Sequence, residues 1–365
     1  MAGNLFGVND VQTVKVWSRK TEREVLKKCI LSKLIGNNSD SVVQVKDELS
    51  KGPGDRIRIP LRMQLAGYGV SGHNPLENNE QQQTYYYDDL VIDQLREGVR
   101  WYGGISDQRV VFDQREEAKV ALSDWGAHTL DTWFLNQVCG GYSVTDTRLT
   151  GLQAVATINK STDAQHYINA ETPTVGGASD DEDLDSGDLF TLSLIDEALR
   201  RAKTSSPAIR PIKINGGDYY VLVLHPNQVY DLQVATSGTP FAWTALQQSA
   251  MEGGEITGNP LFTGALGMYK GVILMESNRI PNGVSGATGL AVANTRRACF
   301  LGAQSAWMGI GREQPGAERW SWKEKTFDYE DQNGIRVKFI GGLKKSVFNS
   351  ASLGSIVISS YTSVA

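Results

Sequence analysis

Ten residues, Arg56 to Leu65, read RIRIPLRMQL and alternate polar and apolar without a fault. Ile57, Ile59, Leu61, Met63 and Leu65 fall on one face, and Arg56, Arg58, Pro60, Arg62 and Gln64 on the other. That is the period of a strand with one wet side. Pro60 has no N–H to give to a ladder, so the strand belongs at an edge. The stretch that follows, AGYGVSGHNPLENNEQQQ, is too rich in Gly, Asn and Gln to pack, and a second extended segment comes around Tyr85 to Asp93. Together they predict a long β-hairpin projecting from the body. A lone two-stranded ribbon is marginal in water, so its apolar face must lie on another surface, with another subunit as a candidate.

The flanking sequence is also extended beyond what one compact domain needs. Residues 1–50 read as an arm with one helical stretch near Thr21 to Ile35, where Leu26, Ile30 and Leu34 share a stripe. Between Lys15 and Lys33 stand seven Lys/Arg and two Glu, an excess of +5 in a chain whose net charge is −5. Ser106 to Cys139 carries the longest helical signal. Ala118, Leu122, Trp125, Thr129 and Trp133 form one stripe, Leu130, Phe134 and Val138 a second, and Gly140-Gly141 supplies the stop. At about 1.5 Å per residue such a helix would run roughly 50 Å, the length of a spine.

Beyond it the pattern changes to short buried runs between helices. Asp188 is the expected N-cap of a helix carrying Leu189, Leu192, Ile195, Leu199 and Ala202. Asn215-Gly216-Gly217 turns PIKI into YYVLVL, and GVILMES and ACFLGA follow as further buried strands. This alternation implies an α/β lobe over 141–311. The C-terminal part is strand-rich again: RWSWKEKTFDY and GIRVKFI form a predicted hairpin with Asn333-Gly334 at its turn, and SIVISSY closes the sequence.

Charge and composition narrow the function. With 36 Lys/Arg against 41 Asp/Glu, the molecule as a whole offers no electrostatic grip on nucleic acid or an anionic membrane. Cys29, Cys139 and Cys299 are far apart and belong to no metal or redox motif, the usage of a reducing compartment. No export signal or membrane-length apolar run is evident. Gly67, Gly69 and Gly72 spell Gly-x-Gly-x-x-Gly after a strand, but no helix follows, so they are read as the hairpin tip and not as a phosphate cradle. Asp181, Asp183 and Asp185 mimic the opening of a calcium loop whose sixth and twelfth positions, Ser186 and Leu192, are wrong for it. His73, His128, His166 and His225 stand in four separate segments. His225, at a strand end before Pro226, is read as a turn-starting residue; an enzyme reading would place a site there with Asp218. No catalytic, cofactor or metal residues are assigned.

In order and in wording, the elements resemble the major capsid protein of tailed bacteriophages, the Hong Kong phage type fold shared with encapsulins. GDRIRIPLRMQLAGYGVSG, LGAQSAW and TFDYEDQNGIRVKFIGGLKKSVFN are similar to a subfamily of podophage-like viruses and prophages. The resemblance implies an α+β subunit with an N-terminal arm (1–50), a β-hairpin E-loop (51–103), a peripheral domain with a spine helix (104–140), an axial α/β domain (141–311) and return strands of the peripheral domain (312–365). It implies hexamers and pentamers of an icosahedral virion shell, assembled in the host cytoplasm around double-stranded DNA without sequence-specific binding. It also implies no cofactor and no membrane, with decoration, scaffolding and portal proteins as potential partners. Residues expected to meet neighbouring subunits are Arg56, Arg58, Arg62, Tyr68, Tyr85, Tyr86 and Tyr87 on the ribbon, and Leu26, Ile30 and Leu34 on the arm. No Lys lies between Gly52 and Ala118, so a Lys–Asn isopeptide crosslink cannot start from this hairpin. No long segment precedes the hairpin, so a scaffold is expected to be a separate protein. An encapsulin-like compartment shares the fold and differs in its contents.

Overall fold

The computed structural model describes residues 11–47, 54–141, 155–234, 267–312 and 318–362, apart from positions 63, 64, 66, 68, 156, 157, 178, 215 and 330. In chain order the first strands are β1 Ile35–Gly36, β2 Val43–Lys46, β3 Arg56–Arg62, β4 Tyr85–Val91, β5 Asp93–Tyr102, β6 Tyr167–Asn169, β7 Ile212–Ile214, β8 Gly217–Leu224, β9 Gly267–Tyr269 and β10 Val272–Glu276. Then come β11 Gly283–Val284, β12 Ala291–Val292, β13 Thr295–Leu301, β14 Ala306–Ile310, β15 Trp320–Phe327, β16 Gln332–Lys345, β17 Val347–Phe348, β18 Ala351–Ser352 and β19 Ser355–Tyr361. The α-helices are α1 Val11–Lys28, α2 Ile105–Arg109, α3 Gln114–Val138, α4 Leu192–Thr204 and α5 Pro226–Val234.

Two sheets organise these elements. A six-stranded sheet runs β1-β2-β14-β16-β15, with β5 also paired to β16. β16 is long enough to hold β5 along one side and β15 followed by β14 along the other, with Gly341 opposite both Asp93 of β5 and Ile310 of β14. A seven-stranded sheet runs β6-β19-β13-β8-β10-β9, with β7 on β8. The run YYVLVL becomes β8 because both of its faces are covered: Val221 and Val223 face the core around α3, while Tyr220, Leu222 and Leu224 face α4 and α5. The largest cluster joins the two sheets through Leu122, Trp133 and Phe134 of α3, Trp320 and Trp322 of β15, and Cys299 and Leu301 of β13.

Several expectations are corrected in detail. The spine helix is α3 alone, 25 residues and about 37 Å long. Asp113 breaks the longer pattern because its carboxylate accepts the Arg115 N–H at 2.9 Å and restarts the helix. Its far end does close on Gly140, at φ 59°, with the Gly141 N–H bonded to the Asn136 carbonyl at 2.8 Å. The arm helix spans Val11–Lys28 and not 21–35. The Asp131 carboxylate takes the N–H groups of Ile30 and Leu31 at 3.1 and 3.0 Å, so the chain leaves the helix there. The N-cap position of α4 is Thr191, whose side chain makes no capping hydrogen bond, and not Asp188, whose carboxylate is taken up by the Asp185 N–H at 2.9 Å.

The C-terminal hairpin closes with Phe327 opposite Gln332, and Asp328 and Tyr329 after β15 are at positive φ. Asn333-Gly334 instead lies inside β16, where a Cβ on Gly334 would meet the Phe327 ring at 2.8 Å. Sheet membership also cuts across the expected boundaries. β14, inside 141–311, belongs to the six-stranded sheet, and β19, inside 312–365, lies between β6 and β13 in the seven-stranded one. A short β-run cannot announce which of two sheets it will enter, because the choice rests on long-range pairing.

Candidate inter-subunit surface

β3 and β4 form an isolated antiparallel pair with Pro60 opposite Tyr87 and Arg62 opposite Tyr85. Alternation divides the pair into two faces. Ile57, Ile59 and Leu90 are buried against Trp307 and Phe348, with Leu61, Tyr86, Ile92 and Leu353 packed around them. The root of the ribbon therefore does lie on another surface, as expected, but that surface belongs to its own chain and not to a neighbouring subunit.

Two glycines make that seat. Gly309 and Gly342 are cross-strand partners on β14 and β16. A Cβ at Gly342 would come within 2.1 Å of the Val91 carbonyl, and one at Gly309 within 2.9 Å of Leu90. Only a bare backbone admits the hairpin this closely. Asp88, buried beside the seat, accepts from Lys344, and the Val347 N–H lies 3.4 Å from its carboxylate. Burial raises the Asp88 pKa, against the opposing pull of Lys344. Lys344 also donates to the Asp89 carbonyl at 3.0 Å, so one ammonium ties β4 to β16 at two points.

The other face is open. Arg58 forms a two-pronged bond to Asp89, at 2.8 and 3.0 Å, and lies 4.3 Å over the Tyr87 ring. The guanidinium holds the Asp89 carboxyl below its usual range. Arg56, Arg62, Tyr85 and Tyr87 are exposed, Tyr86 is half-buried, and Tyr68 lies outside the described residues. Beyond Arg62 every described residue from 65 to 84 is exposed, including Leu65 and Leu76 at 57% and 59%. Gly69 and Gly72 have φ of 74° and 68°, the left-handed values a tip needs.

The arm residues divide differently. Leu34 is in the core around α3, while Leu26 and Ile30 are half-buried. The buried line of this segment is instead Thr21, Val25 and Cys29, set on α3. Lys119 pairs with Glu24 at 2.8 Å and Arg319 with Glu22 at 3.7 Å. β1 and β2 then enter the six-stranded sheet, so the described part of the arm is integral to the body.

The residues weighed for chemistry remain apart. Asp218 and His225 sit at opposite ends of β8, about 23 Å along the strand. His225 Nδ1 accepts the Asn227 N–H at 3.2 Å, and burial, with Arg296 nearby, lowers its pKa to about 4. That is a neutral cap at the start of α5. In the acidic loop, Asp181 is spent on a fully buried ion pair with Arg297 at 2.7 Å, on the Tyr167 hydroxyl at 2.6 Å and on the Val284 N–H. Arg297 in turn donates to the carbonyls of Cys139 and Gly140, at the end of α3. Among the described residues no group of three or more His, Cys, Asp or Glu is placed to hold a metal, and no helix is long and apolar enough to cross a membrane. The Asp181–Arg297 and Gly309–Gly342 pairs escaped sequence reasoning. Their members lie 116 and 33 positions apart (297 − 181; 342 − 309), and no local pattern joins them.

A projecting ribbon seated on one sheet, a spine helix beneath that sheet and an α/β lobe beyond it define a shell-forming subunit of the Hong Kong phage type. The chain belongs to the phage capsid protein family, whose model matches residues 5–364. It is similar to the major capsid protein of Pseudomonas phage KPP25, with 26% identity over 352 residues, 92% of this chain and 89% of that protein. Among solved structures it is similar to the capsid of Ralstonia phage GP4, at TM-score 0.75 and 27% identity, covering 92% of this chain and 91% of that one. The cyanophage Pam1 capsid asymmetric unit shares the fold at TM-score 0.70 and 20% identity, covering 92% and 93% of the two chains. The protein is a structural capsid subunit and not an enzyme.

Proposed function

We propose that this chain is the repeating subunit of an icosahedral shell built from hexamers and pentamers, which forms in the host cytoplasm around double-stranded DNA. The observation that carries this reading is the ribbon tip. The described residues between 65 and 84 hold exposed side chains well beyond a root that is fixed by Asp88, Lys344 and the glycine seat. A firmly rooted but uncovered extension gains its burial from a neighbouring copy. In this reading the six-stranded sheet with α3 is the peripheral domain, the seven-stranded sheet is the axial domain, and the ribbon is the E-loop laid over the adjacent subunit. Arg56, Arg62, Tyr85 and Tyr87 are its contact residues, with Tyr68 further out. With no lysine on the ribbon, noncovalent contacts or a decoration protein hold the shell, and scaffolding and portal proteins complete the assembly. The net charge of −5 suits a container that must release its genome, because many phosphate contacts would resist ejection.

Deleting Gly67 to Gln82 tests the reading. The shortened chain is expected to remain soluble and folded by circular dichroism while the parent, but not the variant, gives large closed particles by negative-stain microscopy. Particles of normal size from the shortened chain would refute the role of the ribbon.

A further inference from the structure

The strands β5, β16 and β15 lie side by side, and their two faces differ sharply. One face carries Trp320, Trp322, Ile335, Val337 and Phe339 into the core around α3, with Val99 and Trp101 beside them. Alternation then places Arg96, Arg100, Lys323, Lys325, Arg336 and Lys338 on the opposite face. Lys338 stands opposite Arg96, and Arg336 opposite Lys323. Like charges in cross-strand register destabilise a sheet, so this cluster costs the fold something. No carboxylate of the described residues in these strands shares the central part of that face. Glu324 lies on the α3 side, held by Arg115 and by the Trp322 indole N–H at 2.7 Å.

The middle of the face is a concavity of about 550 Å³ lined by Gly98, Arg100, Lys323, Lys325, Phe327 and Arg336, among others. Arg100 lies 4.2 Å and Lys325 5.0 Å from the centre of the Phe327 ring. Arg336 lies deeper, and its Nε and Nη2 are buried without a hydrogen-bond partner among the described residues. Along the side, β5 pairs only with β16, so its outer edge presents main-chain groups to no other described strand. Two of those edge donors are already taken by carboxylates: the Gln94 N–H by Asp93 at 2.7 Å and the Gly98 N–H by Glu97 at 3.1 Å.

We propose that this face docks an acidic segment of a separate protein, bound as an extended strand along the edge of β5. Main-chain pairing would supply affinity and register, and alternate carboxylates would lie on the basic face. Gly98 has no side chain between the added strand and Arg336, so a carboxylate placed opposite Gly98 reaches the buried guanidinium. A second copy of this chain is a poor occupant. Its richest acidic stretch, Asp180–Asp188, is folded on itself, with Asp181 held by Arg297 and the side chains of Asp183, Asp185 and Asp188 accepting N–H groups of the same loop. The ribbon tip between residues 65 and 84 contributes only Glu77 and Glu80 to six cations. Duplex DNA would meet the charge but has no main chain to pair with the strand edge.

The test uses the full-length protein and a fluorescent peptide of alternating Thr and Glu, about ten residues long to match β5. Its comparators are a peptide of equal composition with the Glu residues in one block, the alternating peptide N-methylated on its backbone, and a short DNA duplex. The alternating peptide is expected to bind about tenfold or more tightly than each comparator peptide, by anisotropy at low salt. Lys325→Gln combined with Arg336→Gln should weaken it about tenfold or more while circular dichroism and particle formation stay those of the parent. Equal binding of the N-methylated peptide, preference for the duplex, or no binding of any peptide would each overturn the proposal. So would a variant that binds the peptide like the parent yet forms no particles, since the face would then serve contacts between copies. Because particle formation is read separately, failure here leaves the shell reading intact.

Discussion

Lys345 is a surface type of residue in a core position. It lies on β16 opposite Ala306, fully buried, with no hydrogen-bond partner for its Nζ among the described residues. Burial lowers its pKa from 10.5 to about 8, with Asp163 and the thiols of Cys299 and Cys139 pulling the other way. The folded pKa is below the unfolded one, so the cost of the charged form is complete below about pH 8. It fades as pH rises from about 8 to about 10.5, where the folded state has released a proton that the unfolded state still holds. Lys345→Met should therefore stabilise the protein by about 1–3 kcal/mol at pH 7 in urea denaturation. That advantage should shrink as the same measurement is moved up through this window; a pH-independent advantage would mean that Lys345 binds its proton equally well in the folded and unfolded states and that burial does not lower its pKa. Nothing in GGLKKSVFN distinguishes Lys345, which is sealed in, from Lys344, which reaches Asp88. By contrast, the fates of Ile57 and Ile59 were legible at once, because strict alternation fixes a face whatever covers it.

At the scale of elements, β3 and β4 were legible as a ribbon, but not their seat. The seat depends on Gly309 facing Gly342 across a β-ladder, a pairing that no window of sequence contains. A methyl at Gly342 would run into the Val91 carbonyl, which is main chain and cannot swing aside. Gly342→Ala is expected to cost about 1–3 kcal/mol and to open the ribbon root to limited proteolysis between residues 54 and 62. An unchanged digestion pattern and unchanged stability would show that the root tolerates displacement. The helices were legible in type but not in extent. α3 begins where one aspartate side chain captures a backbone N–H, and α1 ends where an aspartate from another helix does so. Both are decided by single polar atoms that apolar periodicity does not register.

The whole molecule is held together where α3 meets the seven-stranded sheet. Arg297 of β13 donates to the Cys139 and Gly140 carbonyls just past the end of α3 and to Asp181, so one guanidinium joins the spine helix terminus, the sheet and the acidic loop. Asp181→Ala would leave that buried cation uncompensated and should cost about 3–5 kcal/mol in equilibrium unfolding. A loss near zero would mean that water or another group takes over the role of the carboxylate. The sequence alone determined the alternating ribbon, the spine helix, the buried strands and the absence of a familiar catalytic motif, because each is a local pattern of a few neighbouring residues. Only the tertiary structure decided which sheet β14 and β19 would join, that the arm would settle on α3, and that cations from β5, β15 and β16 would share one open face. Those outcomes rest on contacts between residues tens to hundreds of positions apart, whose partners are fixed by packing of the whole chain and not by their neighbours in sequence.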